Sequence, residues 1–271
     1  MSASMPVARV LAVAGSDSGG GAGIQADIKS ISALGGYALT AITALTAQNT
    51  EGVFGVHPVP PHFIRQQLEL VLGDIGADAI KTGMLHSAEV IEAVVEEIGR
   101  LAPNAPLVVD PVMVAKGGHP LLEPSAVEAV RRLLVPRASV LTPNLPEAEA
   151  LSGRRIADAS DMAEAGRALI ALGANAVLMK GGHLEGAEVT DLLVTAKGIL
   201  RFSHPRRATR STHGTGCTLA SAIATGLAQG MVLEAAVERA IDFVIAAIAQ
   251  APGLGKGHGP LAHTITVRPF P

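Results

Sequence analysis

Hydrophobic side chains in this chain fall into two patterns: short continuous runs, and longer stretches where they return every three or four positions. The first run, residues 7–14, is apolar and rich in β-branched side chains, and it stops at Gly15-Ser16-Asp17-Ser18-Gly19-Gly20-Gly21. That predicts a buried strand entering a glycine loop. From residue 22 to 34, Ile24, Ile28, Ile31 and Leu34 recur at helical spacing with Gln25, Asp27, Lys29 and Ser32 between them, so a helix with one core-facing side follows. Apolar runs at 38–45, 77–80, 106–109, 139–141 and 175–179 predict further strands, separated by helical patterns such as those at 63–72, 89–98 and 125–134. Alternating strands and helices make a mainly parallel sheet covered on both faces. Residues 188–194 and 199–202, broken by Ala196-Lys197-Gly198, predict an antiparallel hairpin at a sheet edge, and helices at 218–228 and 233–249 close the domain. The segment Pro58-Val59-Pro60-Pro61 and the strand before it either cover a bound molecule or turn the chain into the helix near Phe63.

No repeat, charged block or Ser/Gly linker divides the 271 residues, so the pattern predicts a single α/β domain over 1–271. Composition supports a folded core: 48% of residues are hydrophobic and 17% charged. Aromatics are only 2%, with no Trp, which argues against stacking platforms for single-stranded nucleic acid or a Trp-built sugar cleft. A formal net charge of −3 leaves no basic field for a phosphate backbone, so nucleic acid is not an expected partner. The lone cysteine, Cys217, excludes an intrachain disulfide and fits a reducing compartment. Residues 1–6 carry no cationic segment ahead of an apolar core, and the run 10–14 is too short for a signal region or membrane span. The expected location is the cytoplasm, with no membrane partner.

Three glycine-rich segments are candidates for chemistry. Residues 15–23 lack the Lys-Ser/Thr of a phosphate P-loop, and Ile24 stands where a dinucleotide fingerprint needs its third glycine. What remains is a loop that lets backbone approach a ligand at a helix amino terminus, or a plain structural turn. His213-Gly214-Thr215-Gly216-Cys217 precedes an apolar helix and leaves unpaired N–H groups facing one point, a fit for a developing anion. Cys217 in that first turn is either an inert small hydrophobe or a thiol whose pKa the helix dipole lowers. Lys180, before Gly181-Gly182, is placed to reach a phosphate or to sit solvated at a strand end. Asp110 ends a predicted strand, and with Glu147 it could hold Mg²⁺ through waters. Asn144 and Glu147 place an amide and a carboxylate three apart at a helix start, with capping as the alternative role. None of the nine histidines has the paired spacing of a zinc helix.

Taken together, residues 15–27, Ala47-Gln48-Asn49-Thr50, Lys81-Thr82-Gly83-Met84, Asp110-Pro111-Val112-Met113, 142–147, 179–183 and 212–217 resemble the hydroxymethylpyrimidine/phosphomethylpyrimidine kinases of thiamine biosynthesis. The matches run in order to Gly257-His258-Gly259-Pro260, nearly the whole chain. The resemblance implies a three-layer ribokinase-like fold, ATP and Mg²⁺ as cofactors, and a homodimer. It also implies two successive transfers: ATP phosphorylates the hydroxymethyl oxygen of 4-amino-5-hydroxymethyl-2-methylpyrimidine, and a second ATP converts the monophosphate to the diphosphate.

Carried onto this chain, the resemblance makes Gln48 the reader of the pyrimidine's amino and ring-nitrogen edge, with Met84 and Val112 packing the ring and Gly15 beside the substrate. Gly214, Thr215, Gly216 and Cys217 become an anion hole shared with Lys180, and Asn144 joins Lys180, Gly214 and Gly216 at the nucleotide. Cys217 stands where most of the wider sugar-kinase superfamily has Asp, and it is expected as the general base. Asp27 is expected at the substrate's polar edge or hydroxymethyl group, with an ordinary exposed helix carboxylate as the alternative. The rival readings are a pyridoxine or pyridoxal kinase, a dual-activity enzyme, and an inactive pyrimidine-binding regulator.

Overall fold

The computed structural model describes residues 7–115 and 117–268; the amino-terminal reading at residues 1–6 lies outside them. Its main sheet has eight strands in the order β10-β9-β8-β7-β6-β5-β1-β2. These are β1 (Arg9–Ala14), β2 (Tyr37–Ile42), β5 (Ala79–Thr82), β6 (Leu107–Val109), β7 (Val140–Leu141), β8 (Ala176–Met179), β9 (Glu188–Thr195) and β10 (Gly198–Pro205). The strands from β2 across to β8 pair in parallel, whereas β9 runs antiparallel to both of its neighbours. The expected mainly parallel sheet with an antiparallel edge is what forms.

The near-continuous apolar runs follow from burial on both faces. Leu11 and Val13 of β1 join one core cluster and Val10 the other; Val109 and Val108 of β6, and Val177 and Leu178 of β8, divide the same way. Successive strand residues point to opposite faces, so each face needs its own apolar set. One cluster packs against α2 (Pro61–Asp74), α3 (Ala88–Leu101) and α6 (Ala159–Ala171); the other packs against α7 (Thr215–Ala228) and α8 (Leu233–Ala249).

Three expectations shift. The run 38–45 breaks at Thr43, whose N–H bonds the Ala14 carbonyl and whose hydroxyl donates to the Met84 carbonyl at 2.6 Å. Beyond it the chain leaves the main sheet as β3 (Ala44–Gln48), which pairs antiparallel with β4 (Val53–Pro58) in a separate two-stranded sheet. The Pro-rich segment after β4 leads straight into α2, which starts at Pro61. The helix expected at 125–134 is α4 (Ala126–Ala129) widening into a π turn at Val130–Leu134 and a 3₁₀ turn at Val135–Arg137, where Pro136 lacks the N–H a regular helix needs. In α1 (Gly23–Ala33) the buried positions are Ile24, Ala26, Asp27, Ser30 and Ile31, while Ile28 is exposed. Apolar period alone rotated that helix wrongly, because its inner face carries polar partners.

Candidate active site

Each strand from β1 to β8 in the parallel part of the sheet, β2 aside, delivers one group to the same edge. Gly15 follows β1, Met84 lies just past β5, Asp110 follows β6, Asn144 lies beyond β7, and Lys180 follows β8. These carboxyl ends, with the amino terminus of α7, border a cavity of about 920 Å³. Crevices at that edge, beside a reversal of strand order such as the one at β1, are where open α/β sheets hold ligands.

In the cavity lining Lys180 Nζ lies 3.0 Å from Asp110 Oδ1 and 3.8 Å from Glu147 Oε2. Burial works against the ammonium, but the two carboxylates hold its pKa above the ordinary lysine value. Burial pushes the Glu147 carboxyl up to about 7, Lys180 opposing and Asp110 adding to the rise. Two carboxylates against one cation leave surplus negative charge, which suits a divalent cation. Asp110 and Glu147 are hard oxygen donors of the kind Mg²⁺ takes in small number while keeping waters, so the residues present fit that ion. Asn144 caps a helix through its side-chain oxygen and backbone: Glu147 N donates to its Oδ1 at 3.0 Å, and Asn144 N donates back to Glu147 Oε2 at 2.8 Å. This capping box starts α5 (Leu145–Ser152) and fixes Glu147 towards the cavity.

α7 begins at Gly214, whose φ of 81° is left-handed and whose Cα abuts the Gly21 carbonyl so closely that no Cβ would fit. The two glycine loops thus touch through backbone. Thr218 N closes the first helical bond on the Gly214 carbonyl, while the N–H groups of Gly216 and Cys217 find no backbone acceptor among the described residues. A Cβ on Gly216 would lie 3.3 Å from Lys180 Nζ and 3.4 Å from Asp110 Oδ2, so the helix terminus adjoins the charged cluster. An anion there meets a positive helix end and an ammonium.

Cys217 is half-buried and lines the cavity. The expected fall in its pKa does not occur: burial pushes the thiol up to about 11, Lys81 opposing while Asp27 and Asp110 add to the rise. Desolvation beats the helix dipole here, and the Gly23 N–H directed at the sulfur only partly offsets it.

The cavity is also lined by Gly15, Met84, Val112, Thr46, Gln48 and His213. A β-bulge at Ala47/Gln48 re-aims Gln48. A Cβ on Gly15 would sit 2.9 Å from Met84 Sδ, so the glycine is what lets the thioether close this wall. Every residue expected at the site borders the cavity except Asp27.

Asp27 is a correction. It is fully buried under the site, accepting from Lys81 Nζ at 2.8 and 3.0 Å and from Ser221 Oγ at 2.7 Å. An ammonium at the β5 position drew the carboxylate inward, and Lys81 carried no apolar-pattern signal of being a core residue. Sequence reasoning also passed over Asp17, which accepts from Gly19, Gly21 and Ala22 N–H at 2.8–2.9 Å and from His213. An Asp two residues before a Gly run signals such a turn. Asp191 was missed too; it accepts from Gly181 N at 2.7 Å, and nothing in a strand pattern marks it.

The sequence profile described as phosphomethylpyrimidine kinase matches residues 17–262. The hydroxymethylpyrimidine/phosphomethylpyrimidine kinase of Bacillus subtilis strain 168 is 46% identical over 260 residues, covering 96% of each chain. The thiamine biosynthesis bifunctional protein of Geobacter sulfurreducens is 52% identical over 97% of this chain, which spans only 54% of that relative's length. Among solved structures, an ADP complex of Bacillus subtilis pyridoxal kinase superposes with a TM-score of 0.89 at 37% identity, over 95% of this chain and 98% of that one.

Proposed function

The chain belongs to the phosphomethylpyrimidine kinase family, and from that membership and the cavity's geometry we infer that it is an ATP-dependent kinase of thiamine biosynthesis. It phosphorylates 4-amino-5-hydroxymethyl-2-methylpyrimidine and then the monophosphate. The observation that carries this reading is that one cavity is lined by Lys180 and the N–H-rich amino terminus of α7, by Gln48, Met84 and Val112, and by Cys217.

The N–H groups of Gly216 and Cys217, with Lys180, meet the charge that builds on the transferred phosphoryl. Asp110 and Glu147 would hold Mg²⁺ through waters, and that ion supplies charge neutralisation along the phosphates when bound. Cys217, in its thiolate form, takes the hydroxymethyl proton as the oxygen bonds to the γ-phosphorus and the bond to the ADP oxygen breaks. Burial pushes the thiol up to about 11 and keeps that thiolate scarce near neutrality, and because the loose transition state gives up the proton only late in the transfer, the small thiolate fraction suffices. In the second transfer the acceptor is a phosphate oxygen, which with a second pKa of about 6 needs no deprotonation near neutrality.

Incubation with Mg-ATP and the pyrimidine alcohol, with pyridoxine in parallel, followed by mass spectrometry, tests the reading. Pyrimidine diphosphate is the expected product. Pyridoxine phosphate alone would move the chain to vitamin B6 salvage, the reading that the pyridoxal kinase superposition favours. Cys217→Ala should lower the first transfer by roughly 10²–10⁴ and the second far less; equal losses would make Cys217 a wall of the anion hole. A second copy of the chain is the proposed cover for the exposed Tyr37, Leu45, Phe54 and Phe63, with the cytoplasm as proposed location. No described helix is long and apolar enough to cross a membrane. Sedimentation at micromolar concentration tests the dimer, a monomer alone overturning it.

A further inference from the structure

We propose that His213, held by Asp17, is a positioning residue that locks the Gln48 amide in one orientation and so sets which nitrogen-heterocycle edge the cavity accepts. The proposal rests on Gln48 as the reader of the acceptor's polar edge.

The network has one consistent solution. Asp17 Oδ2 lies 2.8 Å from His213 Nε2 and also accepts from Gly21 and Ala22 N–H. Burial disfavours the Asp17 charge, but His213 and these N–H groups outweigh it and hold its carboxyl below the usual carboxylate range. Asp17 is therefore an acceptor only, and the proton on the shared contact belongs to His213 Nε2. As placed, Gln48 Nε2 lies 3.1 Å from that same His213 Nε2 and Gln48 Oε1 lies 3.3 Å from Thr46 Oγ1. Two donors cannot satisfy one another, and an amide exchanges its oxygen and nitrogen by a half-turn, so the hydrogen-bond network decides its orientation. The Thr46 hydroxyl spends its proton on the Ser16 carbonyl at 2.8 Å, which leaves its oxygen free to accept. The amide therefore settles with its oxygen on the His213 side, sharing the Nε2 proton with Asp17, and its nitrogen donating to Thr46.

This leaves Gln48 one oxygen lone pair and one N–H for a ligand, in fixed order. A 4-aminopyrimidine presents the complement on adjacent atoms: its amino group donates to the oxygen on the His213 side, and its ring nitrogen accepts on the Thr46 side. Pyridoxine, whose ring hydroxyl is separated from the ring nitrogen by two carbons where the pyrimidine's amino group is separated by one, has no such neighbouring pair.

The test compares kcat/KM for 4-amino-5-hydroxymethyl-2-methylpyrimidine with that for its counterpart lacking the amino group. The full chain and His213→Met, His213→Gln and Gln48→Met are assayed, with thermal midpoints and the KM for ATP as controls. A site built to bond a polar group rejects the analogue lacking it, so the unsubstituted chain should prefer the amino compound by ~10²-fold or more. His213→Met should cut that preference below about tenfold, mainly through KM. His213→Gln, which keeps an N–H donor for Asp17 and Gln48, should restore it. A preference kept in His213→Met but lost in Gln48→Met would overturn the positioning role and leave Gln48 as reader. A preference kept in Gln48→Met would overturn the reading of Gln48 itself. Should His213→Met fail to fold, ¹⁵N NMR of the unsubstituted chain decides: a protonated His213 Nε2 is expected, and an unprotonated one overturns the proposal.

Discussion

Two lysines at strand ends meet aspartates in this molecule, and their surroundings give them opposite jobs. Lys81 of β5 and Asp27 of α1 are both wholly shut from solvent, 2.8 Å apart, with Ser221 Oγ on the same carboxylate. Lys180 and Asp110 make nearly the same contact, 3.0 Å, but Lys180 keeps 16% of its side-chain surface exposed and faces the cavity beside a second carboxylate, Glu147. The sealed pair is balanced in charge and has nothing left to offer a ligand. The open cluster has surplus negative charge and an exposed cation, and both are satisfied only by something that enters. An ion pair thus becomes functional through access and imbalance rather than through the identity of its members.

The largest effect should come from breaking the sealed pair. Lys81→Met strands the buried Asp27 carboxylate and is expected to cost about 3–5 kcal/mol of folding stability. Replacing both partners by apolar residues, Lys81→Met with Asp27→Leu, should recover most of that loss. Denaturant melts of the two variants decide it. If the single substitution is harmless, Lys81 is not the structural counterpart supposed here.

That contrast also marks how far the sequence could be read. Strand runs, the edge hairpin and the closing helices were legible because burial on both faces writes continuous apolar segments. α6 was not read, although Asp158 caps Ser160 and Asp161 N–H and Met162, Ala165 and Leu169 fall at helical spacing behind it. The open cluster was legible too, since Asp110, Glu147 and Lys180 each end an apolar run or follow a turn, where chemistry collects. The sealed pair was not: hydropathy scores a charged residue as solvent-facing, and only the fold reveals that Lys81 and Asp27 satisfy each other. The same blindness hid Asp17, His213 and the rise in the Cys217 pKa, all of which depend on contacts between segments distant in sequence.

At the open cluster the loss should appear in rate. Lys180→Met removes one preorganised cation facing the transferred phosphoryl and is expected to lower kcat by roughly 10²–10³. Its thermal midpoint should fall less than that of Lys81→Met, because Glu147, already near 7, takes up a proton and removes one of the two negative charges left behind. A large fall in stability with kcat intact would reverse the assignments of the two lysines.

Cys217 lies within the influence of both regions, and its titration weighs one against the other. Its thiol is pushed up to about 11 by burial, and Lys81 is the cation that chiefly opposes this. Thiolate is the reactive form, so iodoacetamide labelling should accelerate about tenfold per pH unit through the neutral range and level off near 11. Labelling that is already flat at pH 7 would show a thiolate, and would restore the helix dipole as the stronger influence.

The smallest effect completes the series with a pair that is neither sealed nor poised. On the outer face Arg100 of α3 bonds Glu97 at 2.5 Å and Glu69 of α2 at 2.7 Å, with half of its side chain in solvent. Glu97 keeps a second cation, Arg65, at 3.0 Å. Water screens Arg100, and its long side chain loses freedom in making these bonds, so Arg100→Ala should change stability by no more than about 1 kcal/mol and leave turnover unchanged. A loss as large as that of Lys81→Met would mean that burial does not rank these pairs. The expected order, sealed above poised above exposed, follows from how completely each carboxylate depends on one cation for its neutrality.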